Sequence, residues 1–117
     1  MKTNIESKTL RNNNYRKVVY TIPDSMQLVV MSLKPREEIG MEVHQHTSQF
    51  IRVESGKAIA IISGKKYRLK SGDVVIVPMG KKHNIINSSY SEPLKLYTIY
   101  TPPEHPKKLI QKLKPKD

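Results

Sequence analysis

From residue 15 onward the apolar positions fall in short runs, and within them apolar and polar residues alternate with a period of two. That is the spacing of a strand with one buried face. Residues 17–22 are rich in β-branched and aromatic side chains and stop at Pro23-Asp24-Ser25, a turn signal. Residues 26–34 make the next strand, closed by Pro35, and 36–40 form a loop ending in Gly40. The same rhythm predicts strands over 41–46, 49–54, 57–63, 66–70, 73–77, 83–87 and 94–100. They are separated by Ser55-Gly56, Ser63-Gly64-Lys65, Ser71-Gly72, Met79-Gly80 and the polar stretch 87–93. Short strands with Gly and Pro punctuation and no helical period predict an all-β sandwich or barrel over residues 15–106. Residues 1–14, with Asn12-Asn13-Asn14 and no periodic apolar face, read as a flexible N-terminal arm. Residues 107–117 read as a basic C-terminal tail after Pro103 and Pro106, with Pro115 inside it. Its Leu109, Ile110 and Leu113 are spaced to share one side of a short helix that docks on the barrel, lysines outward.

Composition narrows the class. A chain of 117 residues fits one domain. No apolar run approaches the roughly 18 residues of a membrane helix, so no membrane partner is expected. The first twenty residues lack the apolar stretch of a signal peptide. Cysteine is absent, which removes disulfides, thiolate metal sites and cysteine nucleophiles and fits a reducing, cytoplasmic setting. The formal charge is +11, of which the tail carries +4 through five lysines against Asp117. Such an excess draws phosphate and other anions. No aromatic residue interleaves the tail lysines for base stacking, so nucleic acid is not expected as a partner.

The chemistry lies in three of the four histidines. On a strand over 41–46, Glu42, His44 and His46 share a face. Gln49 shares a face with Ile51 and Val53, which a small barrel turns inward. His83 follows the Pro78-Met79-Gly80 corner. Imidazole nitrogens bind first-row divalent ions at about 2.0–2.2 Å, and three on one interior face can cap one ion. The pair alone also fits a surface His-x-His with a separate core histidine bonded to a backbone carbonyl. His105, between prolines, reads as a surface residue.

The spacing resembles the cupin family. Its first motif, G-x5-H-x-H-x3,4-E-x6-G, is matched by His44-Gln45-His46, Gln49 and, after six intervening residues, Gly56. Three residues rather than five separate Gly40 from His44, and Gln49 stands where the motif has glutamate. The second motif, G-x5-P-x-G-x2-H-x3-N, is matched in full by Gly72, Pro78, Gly80, His83 and Asn87. The stretches 49–54, 83–87, 93–100 and 102–106 are similar to small single-domain cupin-2 proteins, a subgroup loosely named after mannose-6-phosphate isomerase.

The resemblance implies a double-stranded β-helix, or jelly-roll, barrel and a homodimer. Tyr20, Phe50 and Tyr97, on faces opposite the core, add a reason to expect an interface. It also implies a divalent ion (Mn, Fe, Ni or Zn) held by His44, His46, Gln49 and His83. Neutral ligands would leave the ion its full charge, partly offset if Glu42 turns inward, and so favour a small anionic ligand such as a sugar phosphate or oxo acid. For an enzyme, the implied chemistry is isomerisation or epimerisation ahead of dioxygenation, with Glu42 and Tyr100 as the catalytic residues. The alternative is a non-catalytic module that binds a metal or small ligand.

Overall fold

The structure, a computed structural model, describes residues 1–116. It consists of one short helix and nine strands: α1 (Ile5–Arg11), β1 (Arg16–Ile22), β2 (Met26–Leu33), β3 (Ser48–Ser55), β4 (Lys57–Ile62), β5 (Lys65–Lys70), β6 (Val74–Val77), β7 (His83–Asn87), β8 (Leu94–Thr101) and β9 (Ile110–Gln111). Two antiparallel sheets face each other. One has the order β6-β3-β8-β2-β1-β9 and the other β5-β4-β7. This is the all-β jelly-roll barrel that the strand rhythm and the glycine spacing predict. No helix among the described residues is long and apolar enough to cross a membrane.

Alternation builds the core. Val29, Met31 and Leu33 of β2, Ile51 and Val53 of β3 and Leu94, Leu96 and Tyr100 of β8 turn inward. They meet Ala58 and Ala60 of β4, Leu69 of β5 and Ile85 of β7 from the opposite sheet. Each large apolar side chain removed from water there contributes about 1.5–3 kcal/mol. Asn87 fixes one end of the barrel. Its Nδ2 donates to the carbonyls of Leu33, Lys34 and Glu92, and its Oδ1 accepts from the Ser89 N–H.

Three sequence expectations need correction. Residues 1–14 are not a bare arm, because α1 forms behind an Asn4 cap whose side chain accepts from the Ser7 N–H at 2.9 Å. Seven residues are too few to stand alone. The helix is held by tertiary packing, with Thr9 fully buried and α1 lying across the outer face of β8, β3 and β2. Lys95, on that outer face, is buried beneath the following turn and donates to the Asn12 carbonyl and the Asn13 side chain.

The tail docks, but as a strand rather than a helix. Ile110 and Gln111 pair with Lys17 and Arg16, and Leu109 packs against the core. Ile110 and Leu113 stay exposed. A free edge of β1 offers unpaired N–H and C=O groups, and those partners outweigh one turn of helix between prolines. Asp117 lies outside the described residues.

Residues 41–46 do not form a strand either. Only Glu42 is bridged, to His83, and the chain bends at Gln45-His46.

Candidate metal centre

Backbone hydrogen bonds bring the two motif segments together. The Glu42 N–H donates to the His83 carbonyl at 2.8 Å and the His83 N–H to that of Glu42 at 2.9 Å. The Gly80 N–H donates to the His44 carbonyl at 2.8 Å, with Gly80 at φ +83°, a conformation that glycine reaches without strain. The Pro78-Met79-Gly80 corner therefore ties the chain carrying His44 directly to the start of β7. Asn84 pins the approach to that chain. Its Oδ1 accepts from the Gly40 N–H, and its Nδ2 donates to Glu38.

The result is a compact cluster. Glu42, His44 and His83 each offer a ligand atom, all within 4.8 Å of one another. Glu42 Oε1 lies 3.6 Å from His44 Nε2 and 4.0 Å from His83 Nε2. Both separations are too long for a hydrogen bond. The two Nε2 atoms and Gln49 Oε1 are buried without hydrogen-bond partners among the described residues.

Each histidine is anchored through its other nitrogen. His83 Nδ1 lies 3.1 Å from the Lys81 carbonyl, and His44 Nδ1 lies 3.2 Å from Glu104 Oε1. An oxygen acceptor at Nδ1 holds the ring proton on that nitrogen and leaves the Nε2 lone pair directed into the cluster. Gln49 Nε2 likewise donates to Thr98 Oγ1 at 2.9 Å, which identifies its second atom as the free oxygen. Gln49 pairs in register with Tyr100, whose ring stands edge-on to His44 at 5.8 Å.

The electrostatics follow from these positions. Burial pushes the Glu42 carboxyl up, but His44, Arg16 and His83 outweigh it and hold it below the ordinary range. The neighbouring Glu42 carboxylate raises His44, while burial lowers His83. Burial also raises the Tyr100 phenol, so it stays protonated. His105 is pushed down to about 4, first by burial and then by the charge of Arg16.

The sequence-derived site residues fare differently. His44, His83 and Glu42 converge. Gln49 is buried, with its oxygen free. His46 is exposed and stands apart from the cluster, because the bend at Gln45-His46 breaks the alternation that would have kept it on the His44 face. Tyr100 is buried as expected, and its hydroxyl lies 3.3 Å from His105 Nε2.

Two residues beside the cluster escaped the spacing argument. His105 is half-buried, its ring edge-on to Tyr100 at 5.1 Å, where a surface residue was expected. Glu104 supplies the partner of His44. Both are held by Gln27, fully buried on β2, whose Oε1 accepts from their backbone N–H groups. The one sequence signal for them is an acid and a histidine set among prolines directly after the last barrel strand.

Comparison with known proteins identifies the family and the fold. Residues 29–100 match the model of the family described as Cupin domain. The chain is 48% identical over 107 residues to an uncharacterized protein of Acanthamoeba polyphaga mimivirus, covering 88% of this chain and 66% of the relative. It is 38% identical over 109 residues to the uncharacterized protein YrkC of Bacillus subtilis, covering 88% of this chain and 58% of that one. The chain thus spans less than two thirds of the length of either curated relative. The crystal structure of BH2720 from Bacillus halodurans superposes with a TM-score of 0.92 at 34% identity, covering 96% of this chain and 88% of the other. With the family model spanning the strands that carry Gln49, His83 and Tyr100, the chain belongs to the cupin family.

Proposed function

We propose that this protein holds one divalent ion through His44, His83 and Glu42, with Gln49 Oε1 as a fourth ligand, and binds a small anionic metabolite beside it. One observation carries the reading. The buried, unpartnered Nε2 atoms of His44 and His83 flank Glu42 Oε1, and each ring is anchored through Nδ1. A buried polar atom without a partner costs about 1–3 kcal/mol, and a shared cation satisfies all of them at once. A nitrogen and oxygen donor set fits Mn, Fe, Ni or Zn. An ion bound there supplies Lewis-acid polarisation of a ligand oxygen. Glu42 is assigned to the ion rather than to proton transfer, because its Oε1 lies within 4.0 Å of both free imidazole nitrogens. Tyr100, kept as a phenol, is assigned to hydrogen-bond the ligand.

If the protein is an enzyme, an isomerase or epimerase is favoured over a dioxygenase, in line with the mannose-6-phosphate isomerase-like subgroup. The alternative, a non-catalytic binding module, is favoured by Tyr100, edge-on to His44, and by His105 beside it. Tyr100 is raised and His105 lowered to about 4, so neither is matched to moving protons near neutral pH. The test is incubation of metal-loaded protein with sugar phosphates and oxo acids in D2O. Deuterium incorporation next to a carbonyl supports the isomerase, and binding without exchange supports the module. A protein that takes up none of the four metals refutes the metal reading and the isomerase with it, and leaves only a module that binds a small ligand.

A cytoplasmic location and a homodimer belong to the same proposal. The first is supported by the cysteine-free composition. The second is supported by exposed Tyr20 and by Ile76, which is 57% exposed on the edge strand β6. Phe50 and Tyr97 contribute less, since they stack on each other at 6.0 Å and are partly covered.

A further inference from the structure

Arg16 is the one buried arginine among the described residues. It opens β1 with its side chain turned inward beside Val18, and it is only 7% exposed. Its Nη1 donates to Gln111 Oε1 of β9 at 2.7 Å, and its guanidinium lies 5.1 Å from the ring centroid of Tyr15, itself buried. Its Nε is buried with no hydrogen-bond partner, and no carboxylate among the described residues approaches within 4.0 Å. A buried cation held by one neutral amide and an aromatic face is costly, and structural arginines are ordinarily paired. Its neighbours Tyr15, Val18 and Met31 belong to the same buried core as Tyr100, whose ring lies 5.8 Å from that of His44, so the guanidinium and the histidine cluster open on one barrel interior.

We infer that Arg16 is the anchor for the carboxylate of a small oxo or hydroxy acid whose second oxygen reaches the His44–His83–Glu42 cluster. The unpartnered Nε belongs to the edge of the guanidinium that presents two parallel N–H groups, the geometry that receives a carboxylate in bidentate fashion. A single negative charge suits the site better than a dianionic phosphate. Arg16 is the one cationic side chain among the described residues there, and the Glu42 and Glu104 carboxylates offset the charge of a divalent ion at the cluster. The ligand is short, because Met31 and Leu96, across the sheet from Arg16 in register, are fully packed. The far end of the ligand rests on the metal reading above, whereas the carboxylate end rests on Arg16 alone.

The test is calorimetric titration of the full chain with pyruvate, lactate and inorganic phosphate at constant ionic strength, with and without one equivalent of Ni(II). The parent is expected to bind pyruvate or lactate more tightly than phosphate. Arg16→Gln is expected to weaken that binding by about tenfold or more, and Arg16→Lys, which keeps the charge but loses the fork, by less. Metal uptake is expected to be unchanged in both. Thermal melting of Arg16→Met separates a ligand group from a structural one. Relief of an uncompensated buried charge leaves its midpoint at or above the parent's, and a large drop overturns the inference. Should Arg16→Gln fail to fold, the Arg16→Lys comparison decides, and an unchanged affinity there overturns it.

Carboxylate affinity that survives in Arg16→Gln, or phosphate preferred over pyruvate, likewise overturns the inference. A parent that takes up Ni(II) but no carboxylate refutes Arg16 as anchor while the metal site stands. Carboxylate binding that depends on Arg16 in a protein that takes up no metal refutes the metal site and leaves the anchor in place.

Discussion

Removing the Glu104 carboxylate tests the arrangement without touching a ligand. Glu104 Oε1 lies 3.2 Å from His44 Nδ1, and the Glu104 side chain remains 33% exposed. The contact has two separable consequences. As a partly exposed charge pair it adds under about 1 kcal/mol to fold stability. As the group that fixes the His44 tautomer it is worth about 10–100-fold in metal affinity, or about 1.4–2.7 kcal/mol. Glu104→Gln keeps an acceptor for the Nδ1 proton and is expected near the lower figure. Glu104→Ala removes the acceptor and is expected near the upper one. Affinities are read by competition with a chelating dye for Zn(II) at about pH 8. Both carboxylates next to His44 raise its pKa, Glu42 more than Glu104, and at lower pH proton competition would mask the effect. His44→Ala must lose more affinity than either Glu104 variant. Affinity in Glu104→Ala within twofold of the parent's refutes the orienting role.

Other expectations follow from the same contacts. Truncation after Pro106 removes the β9 pairing, the Leu109 packing and the Gln111 partner of Arg16, and should cost about 3 kcal/mol or more in urea unfolding; a midpoint unchanged by the deletion contradicts the docked tail. Gly56→Ala should destabilise by at least about 2 kcal/mol, since its Cβ would meet the Pro93 carbonyl oxygen at 2.6 Å at φ +97°, and a neutral effect in thermal melting counts against this packing. His105 titrates at about 4 in the folded chain against 6.5 ordinarily, so between those values the unfolded chain binds a proton that the folded chain refuses. Stability therefore falls as pH drops from about 6.5 and levels off below about 4, by at most about 3 kcal/mol. His105→Gln should show that much less loss over the same window, and parallel curves for the two proteins refute the buried neutral histidine.

The strands were legible because each shows its own period of two, and the second motif because its work is local. Gly72, Pro78, Gly80 and His83 build one corner within a dozen residues, and the backbone bonds from that corner to His44 complete it. The pairing of His46 with His44 was misjudged because alternation holds only while a strand lasts, and the chain leaves its bridge at Glu42 and bends at Gln45. Glu104, His105 and Arg16 lay beyond spacing arguments for another reason. Contacts from other parts of the chain hold them in place, Gln27 clamping the first two and Gln111 bonding the third. The alternation of Arg16 with buried Val18 was visible in the sequence, yet only the burial of its Nε gives it chemical meaning.

The most direct measurement is metal stoichiometry by elemental analysis on four purified proteins: the parent, His44→Ala, His83→Ala and His46→Ala. One ion per chain in the parent, retained in His46→Ala and lost in the other two, is the predicted result. An ion lost from His46→Ala as completely as from His83→Ala, or no ion in the parent after incubation with Mn, Fe, Ni or Zn, contradicts the cluster of Glu42, His44 and His83 as the metal centre.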